Sequence, residues 1–399
     1  MATIRKRGDS YQIRVSCGYN SEGKQVEHSM TWKPDAKLTP KQIEKELNRI
    51  AVKFEENCSH GMLVSSIKFK DFAEQWFAEY AEIKLKPKTI EGYRWMSNRI
   101  YDAIGHIRLD KITARDIQKF IISMTEEKRC DGRNKRNGKL SAKTIKLHIS
   151  MISTIFDYAI KMQLIQNNPC RSVTLPKPDG EKRDVYTLEE VQQLFELFEQ
   201  EDESNYRYVL FYTLAIYTGF RKGELLGLEW KDIDFETNMV TVNRTSIYSR
   251  KKGGTYTETP KTETSFRTLK IPSEVMSMLI KWRSLQDKQR IKVGSKWIES
   301  DRIFTRWNGL TMDGSAPGYY FKRFCERTGM RYVCNHSFRH FNASVLISNG
   351  VDVKTVQSCL GHSTATTTLQ IYAHTFQAAQ VRAMDTVASV INMKKAASE

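Results

Sequence analysis

The run from His336 to Tyr372 reads H-S-F-R-H at 336–340, L-G-H at 360–362 and Q-I-Y-A-H at 370–374. Within forty residues it gathers imidazoles at His336 and His362, the guanidinium of Arg339 and the phenol of Tyr372. Together these groups can handle a phosphate diester. Arginine forks match phosphate oxygens two at a time, histidine moves protons near neutral pH, and a tyrosine oxygen can act as a covalent nucleophile. Taken singly, each residue reads equally well as an ordinary surface or satisfied side chain. The weight comes from what stands upstream in the same order.

Two further elements precede this run. Thr218-Gly219-Phe220-Arg221-Lys222-Gly223-Glu224-Leu225 places a second arginine straight after a Gly-Phe pair, and Pro260-Lys261-Thr262 places a lysine in a turn between strand-like runs. With these in hand the chain resembles the tyrosine recombinases, the phage-lambda-like integrase family, including the integrases of phages and conjugative transposons. That family's pattern is an Arg in T-G-x-R-x-x-E-L, a Lys on a hairpin turn, H-x-x-R, L-G-H and a late Tyr, in that order. The chain matches all six positions, at Arg221, Lys261, His336, Arg339, His362 and Tyr372. It departs in two places. The ten-residue interval from His362 to Tyr372 is long for the family, and Phe341-Asn342 stands where Thr-Phe is more usual.

The bulk numbers agree with a polyanionic partner. The 399 residues carry 63 Lys and Arg against 46 Asp and Glu, a net charge of +17, with 11% aromatics, and a balance this basic points towards nucleic acid. A merely soluble basic protein is the plainer reading. The length fits two or three domains, each able to bury a core. No apolar run approaches the roughly 18 residues of a membrane span, and Met1 to Arg7 has basic residues without the apolar stretch of a signal peptide. Seven scattered cysteines with no C-x-x-C pair suggest reduced thiols in a cytoplasm, and the resemblance implies that of a bacterial cell, with the protein at the nucleoid when active.

The periodicities divide the chain. Residues 3–7, 10–16 and 25–32 alternate like short strands around turns at Gly8-Asp9 and 20–23. Thr39-Pro40-Lys41-Gln42 then starts a helix that should reach about Asn57. A small sheet backed by a helix can sit in a DNA major groove, and the alternation puts Arg5, Arg7, Tyr11 and Arg14 among the exposed positions. The resemblance implies an arm-site DNA-binding domain over 1–64. From Ser65 the period becomes helical, with Phe69, Phe72, Ala73, Trp76, Phe77 and Tyr80 on one apolar face. Further helices start at Pro87, at Thr113 with Asp116, and at Ser141. Residues 67–182 hold 23 Lys or Arg against 14 Asp or Glu, and so nine of the seventeen excess charges, clustered at 84–88, 128–146 and in the linker. Lys86, Lys88 and Lys143 are the phosphate-contact candidates there. The resemblance implies a core-binding helical domain over 65–172, a linker over 173–184, and a catalytic domain over 185–399.

In that last part a helix capped by Thr187 and Glu190 and an apolar helix from Tyr206 to Tyr217 lead into the Arg221 motif. A strand over 239–248, a turn at 251–254 and a returning strand over 265–271 would hold Lys261 in the loop before the return. Helices follow from Ser273, from Tyr319 and at His336, with stops at Gly350 and Gly361. The fold class expected is multidomain and mainly helical. It has an N-terminal three-stranded sheet plus helix, a helical bundle, and a mostly helical catalytic domain with a small antiparallel sheet. A tail with Val381, Met384, Ala388 and Ile391 at helical spacing reads as a docking helix, in cis or in trans.

The resemblance implies the division of labour. Arg221 and Arg339 clamp the equatorial oxygens of the phosphate as charge builds there, each such donor worth on the order of 100-fold. His336 lies one helical turn from Arg339 and is the candidate base; His362 is a third donor. Tyr372 is the nucleophile, Lys261 protonates the departing 5′ oxygen, and Glu224 holds Arg221. Only about one phenol in a thousand is ionised at pH 7, so Tyr372 needs that help. Attack would leave a 3′-phosphotyrosine, conserving bond energy so that no ATP, metal or other cofactor is needed. His336 and His340 form an i, i+4 pair that could begin a metal site, but no third ligand motif is near. The implied partners are double-stranded DNA at core and arm sites, three further copies of the chain in a tetramer passing through a Holliday junction, and an accessory factor for excision. The alternatives are a type IB-like topoisomerase, which shares the chemistry, and a DNA-binding regulator whose site is inert.

Overall fold

The computed structural model describes residues 2–19, 25–35, 38–59, 67–126, 139–177, 184–249, 253–258 and 266–361. The chain divides into two compact units, Met1–Gly180 and Glu181–Glu399. Lys261, His362, Tyr372 and the tail positions Val381, Met384, Ala388 and Ile391 lie outside the described residues, as do 178–183 and the basic positions between 127 and 138.

The first unit begins with an antiparallel sheet in the order β1 (Thr3–Arg7), β2 (Ser10–Tyr19), β3 (Gln25–Trp32). Helix α1 (Pro40–Ser59) follows, its start fixed by Thr39, whose backbone N–H and hydroxyl both lie 2.9 Å from the Gln42 side-chain oxygen. Leu47, Ala51 and Phe54 repeat at helical spacing and pack on Ile13 and Val15 of β2. The register pairs Thr3 with Arg14, Arg5 with Gln12 and Arg7 with Ser10. Facing residues of an antiparallel pair share a side of the sheet, so Arg5, Arg7 and Arg14 lie on one face, and all three are exposed. Tyr11 does not join them. It belongs to the opposite, helix-covered face, where it is half-buried against Trp32 at 6.1 Å between ring centroids. Its exposure, expected from the sequence, is corrected by the parity of β2.

A helical bundle completes this unit: α2 (Phe69–Trp76), α3 (Glu82–Lys84), α4 (Pro87–Ile100), α5 (Ala114–Glu126) and α6 (Ala142–Lys161). The expected apolar stripe is its core, with Phe69, Trp76, Phe77 and Phe156 fully buried. Complete burial of each Phe contributes roughly 1.5–3 kcal/mol. A π-helical turn over Phe77–Ala81 joins α2 to α3, and another, Tyr101–Gly105, extends α4. Neither is visible as a break in periodicity. Capping follows the sequence: Thr113 and Asp116 bond reciprocally, and Ser141 accepts from the Thr144 N–H. Asn168 ends the bundle by bonding the Ser153 carbonyl and the Cys170 N–H. Thr174 is still fastened to it, through two bonds to Gln118, and Val173 and Leu175 pack on its core.

The second unit opens with α7 (Leu188–Glu199), started by a Thr187–Glu190 capping box, and the apolar α8 (Tyr206–Thr218). The short α9 (Lys222–Leu225) follows, then β4 (Ile233–Asp234), β5 (Met239–Val242), β6 (Thr245–Ser249), β7 (Gly254–Glu258) and β8 (Arg267–Lys270). The last helices are α10 (Ser273–Val293), α11 (Ala316–Thr328), α12 (Asn335–Ser348) and α13 (Val353–Leu360). The sheet differs from expectation. The run 239–248 is two strands, and the chain returns twice: β6 pairs with β7 as a separate hairpin, while β8 pairs with β5 in the order β4-β5-β8. Strand β7, Gly-Thr-Tyr-Thr-Glu, carries little apolar character, so its pattern does not announce it. The core gathers around α8, with Tyr212, Phe211, Phe304, Phe321 and Phe338 buried together. The Tyr212 hydroxyl sits 2.7 Å from the Pro317 carbonyl and 2.8 Å from the Asn335 side-chain oxygen, tying α8 to the starts of α11 and α12. Among the described residues no helix is long and apolar enough to cross a membrane.

Candidate active site

Helix α8 ends at Gly219, with φ of +61°, so the chain turns sharply into Phe220 and Arg221. A Cβ at Gly219 would stand 2.5 Å from a Leu360 methyl and 3.0 Å from the Asn342 side-chain oxygen, so glycine is required by conformation and by close approach alike. Asn342 explains the Phe341-Asn342 departure: its amide nitrogen donates to the carbonyls of Ile216 and Tyr217, both at 3.0 Å, closing the end of α8. Phe341 is buried in the core.

Glu224 stands where the sequence expected an arginine holder. It is 5% exposed. One carboxylate oxygen accepts from Arg221 Nη1 at 2.7 Å; the other accepts from the Arg221 backbone N–H at 2.9 Å and from Arg267 Nη2 at 2.7 Å. Burial raises its pKa, but the hydrogen bond and charge of Arg267 and the contacts of Arg221 outweigh burial and leave it below the usual carboxylate value. Arg221 itself stays partly exposed. It lines a shallow pocket of about 360 Å³ together with Phe220, Lys222, Ser315, Tyr332, Asn335 and His336. His336, exposed on the first turn of α12, therefore meets Arg221 across this pocket, and its ring lies edge-on to His340 at 4.6 Å.

Arg339, one turn further along α12, is 1% exposed and is not part of the pocket lining. Its Nη1 donates to the Gly219 carbonyl at 2.8 Å and its Nη2 to the Leu360 carbonyl at 2.6 Å, while Nε has no partner among the described residues. Burial, then the charge of Arg221, push this guanidinium down to about 9, against the pull of Glu224. The end of α13 is held by three arginines at once. The Cys359 carbonyl accepts from Arg267 Nε at 2.7 Å, that of Leu360 from Arg339, and that of Gly361 from Arg221 Nη2 at 2.8 Å. The final carbonyls of a helix lack intrahelical partners and carry the negative end of its dipole, which suits this socket. Gly361, at φ of +64°, ends the helix there, and the chain passes on towards His362.

The structure thus brings Arg221, Glu224, His336 and Arg339 together; Lys261, His362 and Tyr372 lie outside the described residues. Sequence reading missed Arg267. Its one signal is an arginine at a position whose strand parity matches the half-buried Leu269, a weak pattern beside so many basic residues. Among the described residues no three His, Cys, Asp or Glu side chains converge to hold a metal. In the first unit Lys88 and Lys143 are exposed, Lys88 3.3 Å from Glu91, while Lys86 is half-buried at the residue before Pro87. Arg14 lies 4.0 Å from Glu27.

Two family models match the chain: the phage integrase family over residues 184–378, and the phage integrase N-terminal SAM-like domain over residues 68–124. A tyrosine recombinase XerC-like protein of Caldanaerobacter subterraneus subsp. tengcongensis is 29% identical over 96% of this chain and 97% of its own length. The ICEBs1 integrase of Bacillus subtilis is 26% identical over 94% of this chain and 96% of its own. Among solved structures, the Tn1549 transposon integrase in complex with a circular intermediate DNA matches with a TM-score of 0.65 at 22% identity, over 80% of this chain and 99% of that one. A lambda integrase dimer bound to a COC′ core site matches with a TM-score of 0.53 at 18% identity, over 93% of each chain.

Proposed function

The chain belongs to the phage integrase family of tyrosine recombinases, and from that premise we propose that it cuts and rejoins double-stranded DNA for a mobile element through a 3′-phosphotyrosine intermediate. It is a DNA strand-transferring enzyme of site-specific recombination. The observation that carries the chemistry is a charge imbalance: among the described residues three guanidinium groups gather near one carboxylate, Glu224, which bonds Arg221 and Arg267 and acts on Arg339 through its charge alone. A mainly buried site with that excess is preorganised for an anion, and a phosphate in the Arg221–His336 pocket would supply it.

In this reading Arg221 binds a non-bridging phosphate oxygen directly from the pocket. Arg339 acts from behind it through its field, and shifts one donor from a carbonyl to the phosphate as charge builds. His336 accepts the phenolic proton of Tyr372 as its oxygen attacks phosphorus, His362 supplies a further donor, and Lys261 gives a proton to the leaving 5′ oxygen. The ester formed replaces the ester broken, so neither ATP nor a metal enters the balance.

The domains follow the same reading: 1–64 binds arm sites through the face carrying Arg5, Arg7 and Arg14, 65–172 grips the core site with Lys86, Lys88 and Lys143, 173–184 links, and 185–399 catalyses. Support for DNA as partner includes the complexes solved for the Tn1549 and lambda integrases, and a lambda integrase tetramer bound to a Holliday junction supports assembly of four copies. Excision would call on an accessory factor.

The test is incubation of the protein with labelled duplex from the ends of its own genetic element, with EDTA and without ATP, followed by a denaturing gel. A covalent adduct with a 3′ phosphate on Tyr372, absent in Tyr372→Phe, is the expected result. An adduct that persists in Tyr372→Phe removes the nucleophile assignment.

A further inference from the structure

We propose that Arg267 is a positioning residue for strand transfer, setting Arg221 and the end of α13 against each other before DNA arrives. The proposal rests on the reading of the site as a phosphodiester-transfer centre. Arg267 begins β8, six residues after Lys261, and pairs in register with Val242 of β5. Next to it, the Thr268 and Thr241 hydroxyls meet at 2.9 Å. The strand therefore supplies a fixed base. Among the described residues the guanidinium reaches from that base to Glu224 through Nη2 and to the Cys359 carbonyl through Nε, both at 2.7 Å. Its plane is backed by the Phe220 ring, with 4.7 Å from the guanidinium carbon to the ring centroid.

Each contact leads to the Arg221 turn or to the end of α13. Glu224 holds the side chain and backbone of Arg221, Phe220 is its chain neighbour, and Cys359 stands three residues before His362. Arg267 is thus pinned to the Arg221 turn and to the end of α13, and sits just beyond the stretch that carries Lys261. Stability alone does not explain the choice of side chain. A buried ion pair is often no better for stability than well-packed apolar groups, whereas a planar fork that binds a carboxylate and a carbonyl in fixed directions is something arginine does and lysine cannot.

The experiment is single-turnover adduct formation with protein in excess over the same labelled duplex, comparing wild type, Arg267→Lys, Arg267→Met, Glu224→Gln and the Arg267→Met/Glu224→Gln double variant. Misplacement of the phosphate-binding arginine by about 1 Å should slow the rate constant of Arg267→Lys by about 10- to 100-fold, with the dissociation constant and the final fraction of DNA trapped unchanged. The double variant should be no slower than the slower single one, because both act through one link. A purely structural role would lower the trapped fraction and leave the rate constant of the remainder at the wild-type value, and that result overturns the proposal. So does a double variant whose loss is the product of the two single losses. Should Arg267→Met fail to fold, Arg267→Lys, which keeps the charge, decides by its rate constant. Wild type giving no adduct would overturn the strand-transfer reading itself, and this proposal with it, a failure distinct from a normal wild type beside an unaffected Arg267→Lys.

Discussion

Replacing Glu224 by glutamine is a small change in shape with a large expected effect. The carboxylate accepts three donors, at 2.7, 2.9 and 2.7 Å. A glutamine keeps one acceptor oxygen, and its best orientation leaves that oxygen with the Arg221 N–H and Arg267. The amide nitrogen then faces Arg221 Nη1, donor against donor. Arg221 is partly exposed and can swing to water, but Arg267, with a side chain 5% exposed, cannot. Removing one partner from a buried ion pair costs about 3–5 kcal/mol, and because glutamine retains one hydrogen bond to Arg267 the lower end, about 3 kcal/mol, is expected. For a unit of this size that is a fall in Tm of roughly 6–12 °C. Because the folded pKa of Glu224 is held below its ordinary 4.5, the carboxylate's contribution is present in full above that value and is lost as pH falls through the folded one. The gap between the two proteins should therefore be constant from pH 7 down to about 5 and close only in acid. Urea unfolding followed by tryptophan fluorescence, repeated across pH, reads both quantities. A loss below about 1 kcal/mol at pH 7, or a gap that does not narrow in acid, would refute the assignment of Glu224 as the buried counter-charge of two arginines.

Gly219→Ala adds a strained φ, about 1–2 kcal/mol, to a collision with Leu360 and Asn342, about 1–3 kcal/mol. Gly350→Ala, at φ of +83° with open space around its Cβ, carries the strain alone. Thermal melts should therefore rank Gly219→Ala clearly below Gly350→Ala, and equal losses would mean that α13 simply moves aside. On the N-terminal sheet, if Arg5, Arg7 and Arg14 contact phosphates, each arginine changed to alanine should lower the slope of log affinity against log salt by about 0.9. Tyr11→Phe should leave that slope alone, since Tyr11 belongs to the other face. Salt titrations of binding to arm-site duplex distinguish these outcomes.

Much of the molecule is legible in its sequence because the signals are local. Helix starts at Thr113, Ser141 and Thr187 depend on side chains bonding backbone groups two or three residues away, and all three form as the sequence implies. The apolar stripe from Phe69 needs only a 3.6-residue period to become the core of the bundle. Gly350 and Gly361 announce the ends of α12 and α13 because few other residues accept a positive φ. The candidate site is legible for a related reason: Arg221, Glu224, His336 and Arg339 sit in short motifs whose spacing survives any fold that brings them together.

What escapes such reading is long-range. The face that Tyr11 occupies depends on the parity of β2 relative to α1, and a one-residue shift in parity reverses it. The extra return of the chain at β7 depends on β8 choosing β5 as its partner and leaving β6 to β7. That Arg339 reaches Gly219 rather than the pocket, and that Arg267 joins Glu224 to Cys359, are matters of which segments meet across 120 residues of chain in the first case and across 43 and 92 in the second. Local sequence carries the chemistry of each side chain and the conformations that its neighbours dictate. The partners of a buried charge are decided only when strands pair and helices pack, because its hydrogen bonds must then be found among whatever groups the tertiary fold has brought within about 3 Å.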